Sequence, residues 1–415
     1  MRGTLHGLRV LDLTNEPGFL AGMLLAELGA DVVKVEPPGG DPTRRRPPFW
    51  GGVADPEGSI LWLALNGSKR GITLDLDRPA GRELLLRLAG RADAVLETDA
   101  PGTLATRGLG WDALQARNPR LILCSITPFG QSGPRAGWRG SDLTVIALSG
   151  NLHCTGDPDR APLRCSLPVS YYHGGIEAAA GVAIALLARE RTGLGQHVDV
   201  ALQEAMLMPN MATASMALTT GNRGQRAGAF FRQPKSVQRE IWPCKDGWVS
   251  FALRGGPARM PGLVAMVAWM AEEGMASDRL RAMDWKAYNH NLLSQDEVDA
   301  LSREFGDFFL TRTMTELFRA ACDRNLMLAP ANTAREIVAS EQLAARRFFV
   351  DVEHPGRGPL RLPGAFAVST STDPDGTAIA VRGPAPRLGE HTEAVLAEID
   401  IDAARLERLR AEGVV

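Results

Sequence analysis

Pro168 to Gly181 reads PVSYYHGGIEAAAG, a helix start carrying two tyrosines, a histidine and one acid. A phenol titrates near pH 10, so Tyr171 and Tyr172 are poor nucleophiles at neutral pH; they read more simply as core or interface aromatics with one hydrogen bond each. His173 and Glu177 stand four apart on one helix face and could share a metal ion. A metal would need a third ligand that the surrounding sequence does not offer, so a hydrogen-bonded pair is the plainer reading.

These residues lead into the most apolar helix of the first half, expected over Ile176 to Arg189 and closed by Arg189, Arg191 and the turn Thr192-Gly193. Gly174, Gly175, Ala178, Ala179, Ala180 and Gly181 would let another backbone or a ligand come close. Ahead of this helix, short apolar runs alternate with helical patterns. LRVLDL (Leu8 to Leu13), a helical repeat over Pro17 to Leu28 and ADVVKVE (Ala30 to Glu36) come first. GITLDL, RPAGRELLLRLAGRA, DAVLE, GWDALQARNP and LILCSITPFG continue the series, and QHVDVAL (Gln196 to Leu202) alternates as a strand. The alternation predicts an α/β fold with a Rossmann-like, doubly wound parallel sheet that binds ligands at the carboxyl ends of its strands.

A Gly- and Arg-rich stretch from Gly221 to Gln238 reads as a crossing into a small α+β domain. That domain opens with the hairpin REIWPCKDGWVSFALRGG, turning at Lys245-Asp246-Gly247, and continues in helical patterns from Met260 to Asn325. Phe305, Phe308, Phe309 and Leu310 are expected core; Phe230, Phe231 and Trp242 either line an aromatic site or are core as well. The division expected is residues 1–220 for the first part of a large domain, 221–330 for the small domain, and 331–415 for the return, ending in the helix DAARLERLRAEG.

Composition removes several classes of function. Among 415 residues, 46 Lys and Arg face 48 Asp and Glu, a net charge of -2, so no global field draws in nucleic acid or a membrane surface. The five cysteines are scattered without a C-x-x-C pair, which argues against a zinc site or disulfide framework and fits a reducing cytoplasm. No apolar run approaches the roughly 20 residues that span a bilayer. The first βα turn, TNEPGFLAG, lacks G-x-G-x-x-G, and neither a Walker sequence nor a G-x-S-x-G elbow is present. A permanently bound nucleotide cofactor and an α/β-hydrolase triad are therefore not expected.

The segments that punctuate this frame are LHGLRVLDLT, LLAELGADVVKVEPPGGDPTR, LNGSKRGITLDL, RNPRLILCSITPFGQSGP, ARERTGLGQHVDVAL, WPCKDGW and PAPRLGEHTEAVL. In this order they resemble the family III CoA-transferases, the group that includes the formyl-CoA:oxalate and carnitine CoA-transferases. The resemblance covers nearly the whole chain and implies two chains interlocked like links, with a coenzyme A thioester as substrate. It also implies an aspartate at the start of the helix preceding an R-x-R/K-T-G-x-G-Q segment. That aspartate attacks the thioester, becomes a mixed anhydride, and then carries CoA as an aspartyl thioester. Counting back from Gly195-Gln196, its position falls at Tyr171, or at Ser170 with one residue gapped. Neither can substitute, because an acylated hydroxyl is an ester with no route to a CoA-bearing intermediate. Glu177, a helical turn onward, is either a shifted nucleophile or a polar group beside a buried helix.

The same resemblance implies CoA contacts. Asn15-Glu16-Pro17 lies where the family grips the nucleotide, and Lys69-Arg70 resembles a basic pair near the CoA phosphates, with a solvated turn as the alternative. Glu97-Thr98-Asp99-Ala100-Pro101-Gly102 stands in place of E-N-F-x-P-G, the arginine expected soon after falls on Thr106 with Arg107 one place late, and Gly140-Ser141-Asp142 replaces G-Y-D. An acid at Asp99 would repel phosphates. Gly255 and Gly256 match a mobile glycine loop over the active site, or are a tight turn closing the hairpin.

The function expected is that of the non-nucleophilic subunit of a heteromeric CoA-transferase, paired as heterodimer or heterotetramer with a homologous aspartate-bearing subunit. The donor implied is succinyl-CoA, and the acceptor a carboxylic acid such as the aromatic dicarboxylate benzylsuccinate. The competing readings are a homodimeric CoA-ester racemase or lyase without a covalent aspartyl intermediate, and a non-catalytic CoA-ester binding protein.

Overall fold

The computed structural model describes residues 3–221, 224–370 and 378–415. Two compact units emerge: Met1–Asn151, Cys165–Asn222 and Glu341–Val415 form the first, Leu152–Arg164 and Arg223–Ser340 the second.

Six parallel strands build the first unit: β1 (Arg9–Asp12), β2 (Asp31–Glu36), β3 (Arg70–Thr73), β4 (Ala94–Glu97), β5 (Ile122–Thr127) and β6 (His197–Ala201). Their order is β3-β2-β1-β4-β5-β6. This is the α/β architecture with a Rossmann-like parallel sheet that the alternation predicts. The order reverses between β1 and β4, so the carboxyl ends of those two strands flank the crevice where such folds bind ligands. β4 and β5 are buried at every residue, which is why AVLE and ILCSIT are apolar runs with little alternation. β6, at the sheet edge, alternates in exposure as HVDVA suggests. One face of the sheet is sealed by a core of Leu11, Val33, Ile72, Leu85, Val95 and Leu123, to which the C-terminal segment adds Val395, Leu406 and Leu409.

The apolar helix runs over Val169–Thr192 and ends on Gly193 in the left-handed conformation at φ +73°, its N–H bonded to the Arg189 carbonyl. It begins at Val169, earlier than the Ile176 that periodicity suggests. The reason is tertiary: its first turn is capped by the side chain of Asp142, far away in sequence. The small residues admit protein, as expected of them. A Cβ on Gly174 would lie 2.1 Å from Leu202, and one on Gly175 would lie 2.9 Å from Leu20 on the helix Phe19–Glu27.

In the second unit, Ile241–Pro243 and Trp248–Phe251 form the expected antiparallel hairpin, and Leu328–Pro330 adds a third strand. Its core gathers Trp242, Phe251, Trp269, Phe305, Phe308 and Phe309. Leu310 does not join them; it closes its helix on the outer side and is half exposed. Trp242 is core, whereas Phe230 and Phe231 are half-buried beneath the guanidinium groups of Arg239 and Arg254. Among the described residues no helix is long and apolar enough to cross a membrane.

Candidate functional site

β1 ends at Asp12, which is fully buried with two lysines around it. Lys69 donates to Asp12 Oδ2 at 2.8 Å, to the Phe19 carbonyl at 2.9 Å and to Asn66 Oδ1 at 2.8 Å. Lys34 lies 3.4 Å from Asp12 Oδ1 and also bonds the Thr14 carbonyl. Thr14 donates its N–H and its hydroxyl to the same Oδ1 at 3.0 and 2.6 Å. Burial alone would raise the Asp12 carboxyl, but Lys34, Lys69 and these hydrogen bonds outweigh it and hold the pKa at about 2. Burial likewise pulls Lys69 down to about 8 against the attraction of Asp12. The cluster needs Gly22, where a Cβ would sit 2.3 Å from Asp12 Oδ2.

Lys69 thus has all three donors engaged inside the fold. Arg70 is turned to the amino ends of the strands, where it bonds Asp31 at 2.8 and 2.6 Å and Glu398 at 2.7 Å. Arg107 pairs with Asp77 at 2.8 Å and with Asp99 at 3.3 Å, so the acid at Asp99 faces a guanidinium of its own chain. The turn Asn15-Glu16-Pro17 lies at the switch point: Asn15 receives and returns hydrogen bonds with Thr98 Oγ1, both at 2.9 Å, linking the loops after β1 and β4. Glu16 is ion-paired with Arg46.

At the helix start, Asp142 Oδ1 accepts from the Ser170 N–H at 2.9 Å and from its hydroxyl at 2.8 Å. Tyr171 Oη accepts from the Asp142 N–H at 3.2 Å, in the first turn of the helix Asp142–Leu148. The two helices therefore cap each other. Burial pushes the phenols of Tyr171 and Tyr172 above their ordinary range, which leaves them protonated at neutral pH. His173 is half-buried and Glu177 exposed, and among the described residues no group of three or more metal-ligating side chains could hold a metal ion. Asp142→Ala is expected to destabilise the protein by about 1–2 kcal/mol, the usual loss on removing an N-cap acceptor, and Asp142→Asn by less. Urea unfolding followed by circular dichroism checks this.

A second polar cluster sits between β4, β5 and β6. Glu97 is buried, accepts from the Asp99 N–H at 2.6 Å and is hydrogen-bonded by Ser125. Ser125 Oγ is 2.9 Å from His197 Nε2, and His197 stacks on Trp111. Together with Gln131 they line a cavity of about 80 Å³. Sequence reasoning missed this cluster; its one signal was polar residues, Ser125 and His197, inside strand runs. Burial pushes Glu97 from 4.5 up to about 7. The folded state then holds this proton more tightly than the unfolded chain. The stability it contributes is complete below about pH 4.5 and is lost as pH rises through 7. Glu97→Gln is expected to remove that loss, raising stability near pH 8 by on the order of 2–3 kcal/mol relative to wild type. Glu27, raised to about 7 by burial, leaves a residual slope in the same window.

In the second unit, Gly255 and Gly256 follow the strand Trp248–Phe251. A Cβ on Gly255 would lie 2.2 Å from the Tyr288 carbonyl oxygen, and Gly256 adopts φ +115°, so both positions demand glycine.

The switch-point turn, the helix that starts against it and the absence of a glycine-rich phosphate loop define a Rossmann-like α/β protein of a particular class. The same architecture occurs in a CAIB/BAIF family protein from Brucella suis, with a TM-score of 0.81 and 30% identity, covering 96% of this chain and 100% of that one. The profile of CoA-transferase family III matches residues 5–392, and the chain belongs to that family. It is 34% identical to the succinyl-CoA:(R)-benzylsuccinate CoA-transferase subunit BbsE of Thauera aromatica, over 98% of this chain and 97% of the relative. Identity to the succinate–glutarate CoA-transferase of Agrobacterium fabrum is also 34%, over 95% and 96%. Proteins of this class are CoA-transferases, whose substrates are CoA thioesters.

Proposed function

We propose that this chain is the non-nucleophilic subunit of a heteromeric CoA-transferase that moves CoA from an acyl-CoA donor to a carboxylic acid, working in the cytoplasm. A homologous partner subunit supplies the aspartate. The observation that carries this reading is the helix start, where Ser170 and Tyr171 offer only hydroxyls and the adjacent carboxylate, Asp142, is engaged by Ser170 while its backbone N–H donates to Tyr171 Oη. A carboxylate is chemically required. The attacking oxygen displaces CoA thiolate to form an anhydride, and thiolate attacks the enzyme-side carbonyl to release the donor acid. The acceptor carboxylate then attacks that enzyme thioester, expelling CoA thiolate and forming a second anhydride, and the thiolate attacks the acceptor-side carbonyl to give the new acyl-CoA and release the enzyme carboxylate.

Other features support the assembly. The long helix leaves Ile176, Ile184 and Leu187 exposed, and Met208 and Met211 nearby in the chain are exposed too, an apolar surface suited to an interlocked partner. In this reading Asn15-Glu16-Pro17 grips the nucleotide of CoA, while Lys69, Arg70 and Arg107 fix the strands and loops around it. Succinyl-CoA as donor and an aromatic dicarboxylate such as benzylsuccinate as acceptor follow the named relative BbsE. The test is to purify the chain alone and co-expressed with an aspartate-bearing family member, and to assay CoA transfer from succinyl-CoA. Transfer only by the co-purifying complex supports the proposal. CoA transfer by a homodimer of this chain overturns it in favour of a self-sufficient transferase, and a homodimer that binds acyl-CoA without transferring CoA overturns it in favour of a racemase, lyase or CoA-ester binding protein.

A further inference from the structure

The loop that begins at Gly255 is held from behind by one short segment. Tyr288 donates its hydroxyl to the Leu253 carbonyl at 2.7 Å, and Gln238 Nε2 reaches the same oxygen at 2.8 Å. Two residues on, the Gly255 N–H donates to His290 Nδ1 at 3.1 Å. Beyond that bond nothing comes within 4 Å of where a Cβ on Gly256 would stand. A cavity of about 490 Å³ opens there, lined by Gly255, Gly256, Pro257, Met260 and residues 286–291. The loop is thus held at Leu253 and again where the Gly256 carbonyl accepts from the N–H groups of Arg259 and Met260 at 3.1 and 3.0 Å, with one imidazole holding the Gly255 N–H between them and open space beside Gly256.

We propose that His290 is a positioning residue, a latch whose unprotonated Nδ1 holds the Gly255-Gly256 loop in place and whose protonation releases it. A neutral imidazole with its hydrogen on Nε2 can accept the Gly255 N–H; an imidazolium has no lone pair to offer. The charged groups facing His290 favour the neutral form. Arg254, itself paired with Glu240, comes from the loop, Arg259 from the start of the helix Met260–Glu272, and Lys286 from the cavity wall. Burial first, then Arg254 and Arg259, lower the imidazole pKa below its ordinary value. Tyr288, the other titratable group on the segment, is pushed up to about 12 by burial and stays neutral.

The catalytic meaning of this latch rests on the reading of Gly255-Gly256 as an active-site loop, so the experiment separates the two. Hydrogen exchange of peptides spanning residues 252–257 is measured on the full chain from about pH 5 to 8, corrected for intrinsic rates. In wild type, protection is expected to fall about three- to tenfold as pH drops through the His290 titration, the worth of one hydrogen bond. His290→Asn, whose Oδ1 can replace Nδ1 as acceptor, is expected to stay protected across the range. His290→Leu is expected to be unprotected throughout. Protection that ignores pH in wild type, or that survives in His290→Leu, overturns the latch. In the assembled transferase, His290→Leu is expected to lower kcat with little change in KM for acyl-CoA. Altered exchange with unaltered kcat would keep the latch and reject the active-site reading of the loop.

Discussion

Asp12→Asn is expected to lower the free energy of unfolding by about 3–5 kcal/mol, because it leaves two ammonium groups buried without a counter-charge. Asp12 ends β1 at the switch point, accepts from Thr14 and pairs with Lys34 of β2 and with Lys69, just ahead of β3. Loss of that carboxylate therefore loosens the end of β1, the middle of β2 and the start of β3 together. Replacing Lys69 by Met in the same chain is expected to recover part of the loss, since one uncompensated charge goes with it. The pH dependence has a definite sign. With a folded pKa of about 2 against an ordinary value of 3.8, Asp12 contributes stability above pH 4 that disappears as pH falls through 2. Urea midpoints measured at neutral pH and near pH 3 check both claims. A neutral-pH difference under about 1 kcal/mol would show that the cluster does not hold the sheet.

Much of this arrangement was legible before any coordinates. Apolar runs such as LRVLDL and LILCSITPFG, separated by helical patterns, specify a parallel sheet because strands covered on both faces lose their alternation. The Asp246-Gly247 turn likewise announced its hairpin. What stayed hidden depends on partners distant in sequence. Lys69 reads as half of a basic pair near the CoA phosphates, or as part of a solvated turn, until Asp12, 57 residues earlier, is seen against it. Asp99 reads as an acid repelling phosphates until Arg107 closes on it. Pro168 marks the helix start, but the carboxylate that caps it, Asp142, lies 28 residues before Ser170 and nothing local announces it. Leu310 is apolar and adjoins the buried Phe308 and Phe309, but it lies off their face and closes its helix on the exposed side. At Ser170 and Tyr171, where the resemblance implies an aspartate, the sequence offers only hydroxyls, and the structure adds that both are tied to Asp142.

The second large effect concerns activity. Alone, the chain is expected to exchange CoA between acids no faster than the uncatalysed reaction. With an aspartate-bearing partner the rate is expected to rise by a factor on the order of a million or more, the ordinary range for enzymes. The size follows from the chemistry: without a carboxylate there is no anhydride and no enzyme-bound thioester, and positioning alone does not open a different route. Aspartate-to-alanine replacement in the partner is therefore expected to abolish transfer, while Glu177→Gln in this chain is expected to leave it intact, because Glu177 lies exposed about two turns beyond the helix start.

Where the covalent intermediate forms tests the central claim most directly. The assembled transferase is incubated with succinyl-CoA, quenched with hydroxylamine, and both subunits are weighed intact, since an activated carboxyl is converted to a hydroxamate. A hydroxamate on the partner subunit, with this chain unmodified, is the result predicted. A hydroxamate on this chain, at Glu177 or any other carboxylate, would contradict it.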